Sequence, residues 1–156
     1  MDMKKLLLQA VGHEQAAFEL YDRLAKKIKN AEGAAMFANL AKDETGHRVK
    51  LEEWWRRKFA EPLTIGPRDA ATAEAIEIDT QAGAVDALEL ALEREKSSAT
   101  LYESLAASAV DPDLRRLCQA LSEQEWGHFA TIRAEIAAVT GDFYWLDIDY
   151  ASHVED

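Results

Sequence analysis

Apolar residues recur along four stretches of the chain at the three-and-four spacing of a helix that buries one face. Leu7, Ala10, Ala17, Leu24 and Ile28 mark the first, over about 3–29, with no proline and one glycine. Asn30 and Gly33 punctuate the pattern. Phe37, Leu40, Leu51 and Trp54 mark a second helix over 34–60, which fades near Phe59 before Pro62. Residues 61–81 carry Pro62, Gly66 and Pro67 among short mixed apolar residues and read as a long connection that could hold one short turn or extended piece. A third helix is predicted over 82–110 from Ala84, Leu88, Ala91 and Leu105. A fourth, over 112–139, rests on Leu114, Leu117, Leu121, Ile132, Ile136 and Val139. Asp111-Pro112 offers an N-cap and a first-turn proline for the fourth helix, and Gly141 offers its stop.

Two short connections and one long crossover between such helices give an all-α chain with the connectivity of a ferritin-like four-helix bundle: two helix hairpins joined by a long B–C crossover. Residues 1–140 are predicted to form the bundle. Residues 141–156 form an acidic tail whose Phe143, Tyr144, Trp145, Ile148 and Tyr150 are expected to cover a bundle end or a dimer seam.

The apolar stripes are interrupted by polar residues in the same register. Glu14 and Tyr21 fall on the inward face of the first helix, Glu44 and His47 on that of the second, Glu95 and Tyr102 on the third, and Glu125 and His128 on the fourth. The two halves also repeat: Glu14, Tyr21, Glu44 and His47 each recur as the same type eighty-one positions later, at Glu95, Tyr102, Glu125 and His128, and Leu24/Leu105, Ala25/Ala106, Leu40/Leu121 and Gly46/Gly127 keep that offset. A pseudo-two-fold site is implied. Four ionised carboxylates inside a bundle repel, and each unpaired buried charge costs several kcal/mol, a sum comparable with the whole stability of a domain. Two divalent cations would neutralise four carboxylates, with two neutral imidazoles completing the set. Glu and His three residues apart share one helical face, so each Glu-x-x-His can give one cation a nitrogen and share the other through oxygen, while Glu14 and Glu95 complete the two ions. Carboxylate oxygens with one imidazole per ion suit iron or manganese, with zinc or cobalt as substitutes; two iron ions are expected. Tyr21 and Tyr102 lie two turns from the glutamate on their own helix, so they are expected to donate hydrogen bonds to carboxylates of neighbouring helices and to assist with protons or electrons.

Composition narrows the partners. A formal charge of −11 disfavours nucleic acid and anionic membrane and favours cations. The single cysteine, Cys118, excludes a disulfide framework or an iron–sulfur site within the chain and is expected to be a small buried hydrophobe. Without a leader-like or membrane-length apolar run, the expected location is the cytoplasm. His13 should lie off the inward stripe and His153 in solvent. Asp43, Glu52, Glu53, Glu93 and Glu123 read as solvated faces or charges flanking the site. Trp54, Trp55 and Trp126 read as core or dimer contacts.

Glu14 with Tyr21, Glu44-x-x-His47, Glu95 with Tyr102, and Glu125-x-x-His128 followed by Phe129 resemble the rubrerythrin family over most of the chain, most strongly in Ala87–Ala106 and Leu121–Ile136. The resemblance implies a carboxylate-bridged diiron centre that reacts with hydrogen peroxide or dioxygen, often in a homodimer, as part of oxidative-stress defence. Two departures stand out. The chain lacks the cysteines of the rubredoxin domain that feeds electrons to the iron in larger members, so an external donor, rubredoxin-like or another reductase, is expected. The family's additional glutamate, one turn beyond the third-helix ligand, is Ser98 here. Bacterioferritins are also similar, but Thr45 stands where their haem-binding methionine follows the second-helix glutamate, so no haem is expected. The function expected is therefore that of a dinuclear non-haem iron oxidoreductase. Alternatives are a ferroxidase or iron-handling protein, and a bundle merely stapled by a divalent metal.

Overall fold

In the computed structural model, which describes residues 2–65 and 81–140, the four predicted helices are α1 (Met3–Lys27), α2 (Ala31–Phe59), α3 (Gln81–Ser108) and α4 (Pro112–Thr140). There is no strand among the described residues. Gly66, Pro67, the stop at Gly141, the aromatic tail and His153 lie outside them.

The helix ends correct the sequence boundaries by a few residues, each for a local reason. Asn30 is extended, and its side-chain oxygen accepts from the backbone N–H groups of Glu32 and Gly33 at 2.9 and 3.1 Å. These donors have no partner within the helix, so the cap starts α2 at Ala31 rather than 34 and places Gly33 in its first turn, not in a break. α1 ends at Lys27, where Ile28 turns extended, instead of 29. α3 stops at Ser108 rather than 110, and Asp111, the residue before Pro112, is held out of the helical region. Asp111 instead caps α4, accepting from Asp113 and Leu114 N–H at 2.9 and 3.0 Å, while Arg115 donates to the Ala109 carbonyl at 2.7 Å.

The core divides into two apolar clusters along the bundle axis. One gathers Leu7 and Val11 of α1, Leu51 and Trp54 of α2, Tyr102 and Leu105 of α3, and Leu114 and Leu121 of α4. The other gathers Leu20 and Leu24, Phe37 and Leu40, Leu88 and Ala91, and Ile132. The first cluster thus contains the start of α1, the end of α2, the end of α3 and the start of α4. It follows that α1 is antiparallel to both α2 and α3, and that α2 and α3 are joined from opposite ends of the bundle, which no tight turn can do. The eighty-one-residue repeat exchanges the clusters: Leu7, Ala10 and Leu51 correspond to Leu88, Ala91 and Ile132, and Phe37, Leu24 and Leu40 to Cys118, Leu105 and Leu121. Cys118 is completely buried, as a small apolar residue of this layer. Trp54 and Trp55 are both core residues. Helix pairs α1/α2 and α3/α4 pack closely, α1 meets α3 less extensively, and α2 meets α4 only sparsely.

Candidate metal centre

Between the two apolar clusters, at mid-length of all four helices, lies a layer of buried polar residues. Glu14, Glu44, His47, Glu95, Glu125 and His128 are each at most 8 % exposed. The structure brings all six together in two overlapping groups: Glu14, Glu44, His47 and Glu125 in one, and Glu44, Glu95, Glu125 and His128 in the other. Within each group one potential ligand atom per residue lies within 4.8 Å of the rest. Glu44 and Glu125 belong to both, so the pseudo-two-fold repeat yields two positions, each with one glutamate and one histidine of its own and a share of two common carboxylates.

The imidazoles turn their Nδ1 atoms inward. His47 Nδ1 is 2.9 Å from Glu125 and 3.4 Å from Glu14; His128 Nδ1 is 2.8 Å from Glu44, 3.4 Å from Glu125 and 3.5 Å from Glu95. The rings stack with centroids 5.7 Å apart. Several of these inward atoms are close without making an aligned hydrogen bond. Glu14 Oε2, Glu44 Oε1, Glu95 Oε2, Glu125 Oε2 and His128 Nδ1 are fully buried and have no hydrogen-bond partner among the described residues. Such orphaned buried atoms are costly, and they belong to five of the six residues, all pointing to one place. Oxygen and imidazole donors in this arrangement fit two divalent ions, which would satisfy every orphan at once.

The phenols join the halves across α1 and α3. The Tyr21 hydroxyl, from the second apolar cluster, donates to Glu95; that of Tyr102, from the first, donates to Glu14. Burial and the adjacent carboxylates, Glu95 and Glu14 foremost, raise both phenols well above their ordinary range, so they keep their protons.

Without cations the layer holds protons instead. Burial alone would lower the imidazoles, but the facing carboxylates of Glu125 and Glu14 carry His47 to about 10, and those of Glu125 and Glu95 carry His128 to about 10. Burial and the neighbouring Glu14 push Glu44 well up, and burial with the adjacent Glu125 carboxylate takes Glu95 to about 8. Burial also opposes ionisation of Glu14, yet the adjacent Glu44 carboxyl and His47 imidazole outweigh it and leave Glu14 lowered. Glu44 is thus the protonated member of the pair.

The outer ring nitrogens carry two partners that the sequence pattern did not single out as such. His128 Nε2 lies 3.1 Å from Asp43 Oδ2, and His47 Nε2 lies 2.7 Å from Gln124 Oε1. Asp43 appeared only among general flanking charges and Gln124 not at all. The signal was available, since the two are eighty-one positions apart and each immediately precedes a shared glutamate. His13 sits partly buried off the cluster, its Nδ1 3.5 Å from the hydroxyl of buried Ser98. Trp126 is half-buried outside the site and donates to Glu103 at 2.7 Å.

A family model for rubrerythrin matches residues 5–136. The chain belongs to the rubrerythrin family. Its bundle is similar to a hypothetical protein from Pyrococcus furiosus, with 26 % identity and a TM-score of 0.82 over 90 % of this chain and 92 % of that one. The same fold recurs in an uncharacterised conserved protein from Magnetospirillum magnetotacticum, at 22 % identity and TM-score 0.67 over 88 % and 95 % of the two chains. It recurs again in silver-bound CopM, at 11 % identity and TM-score 0.72 over 86 % and 93 %. No curated protein matches the chain. In this rubrerythrin-family bundle, no helix among the described residues is long and apolar enough to cross a membrane.

Proposed function

We propose that this chain is a dinuclear non-haem iron oxidoreductase that reduces hydrogen peroxide or dioxygen with electrons from a separate donor protein. The observation that carries the reading is the convergence of orphaned buried carboxylate and imidazole atoms into two four-residue groups sharing Glu44 and Glu125. Glu14 and His47 would hold one ion, Glu95 and His128 the other. When bound, two ferrous ions supply the two electrons that a peroxide needs to become two waters.

The protein's part is placement and proton control. Tyr21 and Tyr102, both buried, cross between α1 and α3 against Glu95 and Glu14, which keeps water from those carboxylates. On the α2/α4 side the helices touch sparsely, and Asp43 and Gln124 are exposed, so this is the side from which a molecule as small as peroxide would reach the imidazoles. Tyr21 and Tyr102 keep Glu95 and Glu14 oriented and hold a proton against each. With no second cysteine in the chain, re-reduction falls to another protein, such as a rubredoxin.

Anaerobic titration of the apoprotein with Fe(II), followed by one equivalent of peroxide per pair of ions, tests the reading. Saturation at two irons per chain and a fast rise in near-ultraviolet iron absorption, faster with peroxide than with dioxygen, is the expected result. Saturation at two with no reaction would leave a structural metal module, and uptake far beyond two would indicate iron handling.

A further inference from the structure

The six buried residues and two tyrosines match pairwise across the eighty-one-residue repeat, but the groups behind the imidazoles do not. A carboxylate, Asp43 on α2, stands behind His128 of α4, and a carboxamide, Gln124 on α4, stands behind His47 of α2. Both contacts cross the loosely packed α2/α4 side, and both end on an oxygen. With Nδ1 turned to a cation, Nε2 carries the proton and donates it outward, so each partner fixes the same tautomer and ring orientation. They differ in charge. An imidazole donating to a carboxylate becomes a stronger donor at its other nitrogen, and the carboxylate adds a negative charge near the ion; a carboxamide orients the ring without either effect. The side chain of Asp43 is about half exposed, at 54 %, which screens its direct field and leaves the hydrogen bond as the main route of influence.

We propose that Asp43 and Gln124 are positioning residues that make the two cation positions unequal, so that the one built on Glu95 and His128 fills first and holds a divalent ion more tightly than the one built on Glu14 and His47. The inference rests on the dinuclear reading above and predicts an order that the repeat of the six buried residues alone would not.

Anaerobic titration of the full-length apoprotein with Co(II), followed by its visible absorption and by calorimetry, is the test. Wild type should show two steps differing by roughly tenfold or more in affinity, the scale of such outer hydrogen bonds. Glu14→Gln should retain the tighter step and Glu95→Gln only the weaker. Asp43→Asn should bring the two steps together. The exchange Asp43→Asn with Gln124→Glu should reverse their order, so that in this background Glu95→Gln, not Glu14→Gln, keeps the tighter step. Both outer residues are exposed, so these changes leave the apolar core intact, and a purely structural role could weaken both steps but not invert them. Two indistinguishable steps in wild type, or an order unchanged by the exchange, would overturn the inference while leaving the dinuclear site in place. Binding of fewer than two Co(II) per chain would overturn the dinuclear reading and this inference with it.

Discussion

Glu44 and Glu14 illustrate how one residue type takes opposite roles a few ångströms apart. Glu44 keeps a proton because burial and Glu14 oppose its ionisation, while Glu14 is held as the carboxylate by donors around it. Replacing Glu44 by Gln therefore substitutes a neutral amide for a neutral acid, and the apoprotein should lose little stability in chemical denaturation, within about 1 kcal/mol. The same variant should no longer bind two divalent ions in calorimetry, since it removes an oxygen shared by both positions. Tyr102→Phe should behave in the opposite way. It strands a buried oxygen of Glu14, so the apoprotein should lose about 1–3 kcal/mol, and cation affinity should fall roughly tenfold as the carboxylate loses its orientation.

At the level of the helix, paired features of the sequence need not have paired structural causes. Gly46 and Gly127 keep the repeat offset, yet a Cβ at either would meet nothing within 4 Å, and neither adopts a positive φ. Each sits inside a helix where glycine costs about 1 kcal/mol relative to alanine. Gly127→Ala is accordingly expected to stabilise the protein by up to about 1 kcal/mol, read as a rise of a few degrees in melting temperature. The helix ends show the converse. Asn30 and Asp111 each use one side-chain oxygen to satisfy two early N–H groups, and such caps moved the boundaries inferred from hydrophobic periodicity alone.

For the whole molecule, the polar layer makes stability and pH dependent on what fills it. His47 and His128 titrate at about 10 in the fold against 6.5 for a free imidazole. Their contribution to apoprotein stability is complete below pH 6.5 and is lost as pH rises through about 10. Glu95, raised from 4.5 to about 8, acts in the same sense: its contribution is complete below 4.5 and lost as pH passes 8. Cations compete with these protons, so binding tightens as pH rises. The melting temperature of the apoprotein should fall from about pH 6 to about pH 9, and the gap between metal-loaded and metal-free protein should widen over that range. A gap that stays constant with pH in calorimetric scans would contradict this account.

The four helices, the shared register of six acidic and imidazole residues with two tyrosines, and the internal repeat were determined by the sequence itself, because the 3.6-residue period assigns each position a face before anything packs against it. Periodicity also placed Glu-x-x-His on one face of α2 and of α4, as the buried cluster requires. What it does not encode is which atoms meet across helices. That Tyr21 serves Glu95 and Tyr102 serves Glu14, that Glu44 and Glu125 stand in both groups, and that Asp43 and Gln124 back different imidazoles all depend on the packing of separate helices. An exposed Asp or Gln looks like any solvated residue along its own helix, and it acquires its meaning only when the opposite helix brings an imidazole within about 3 Å.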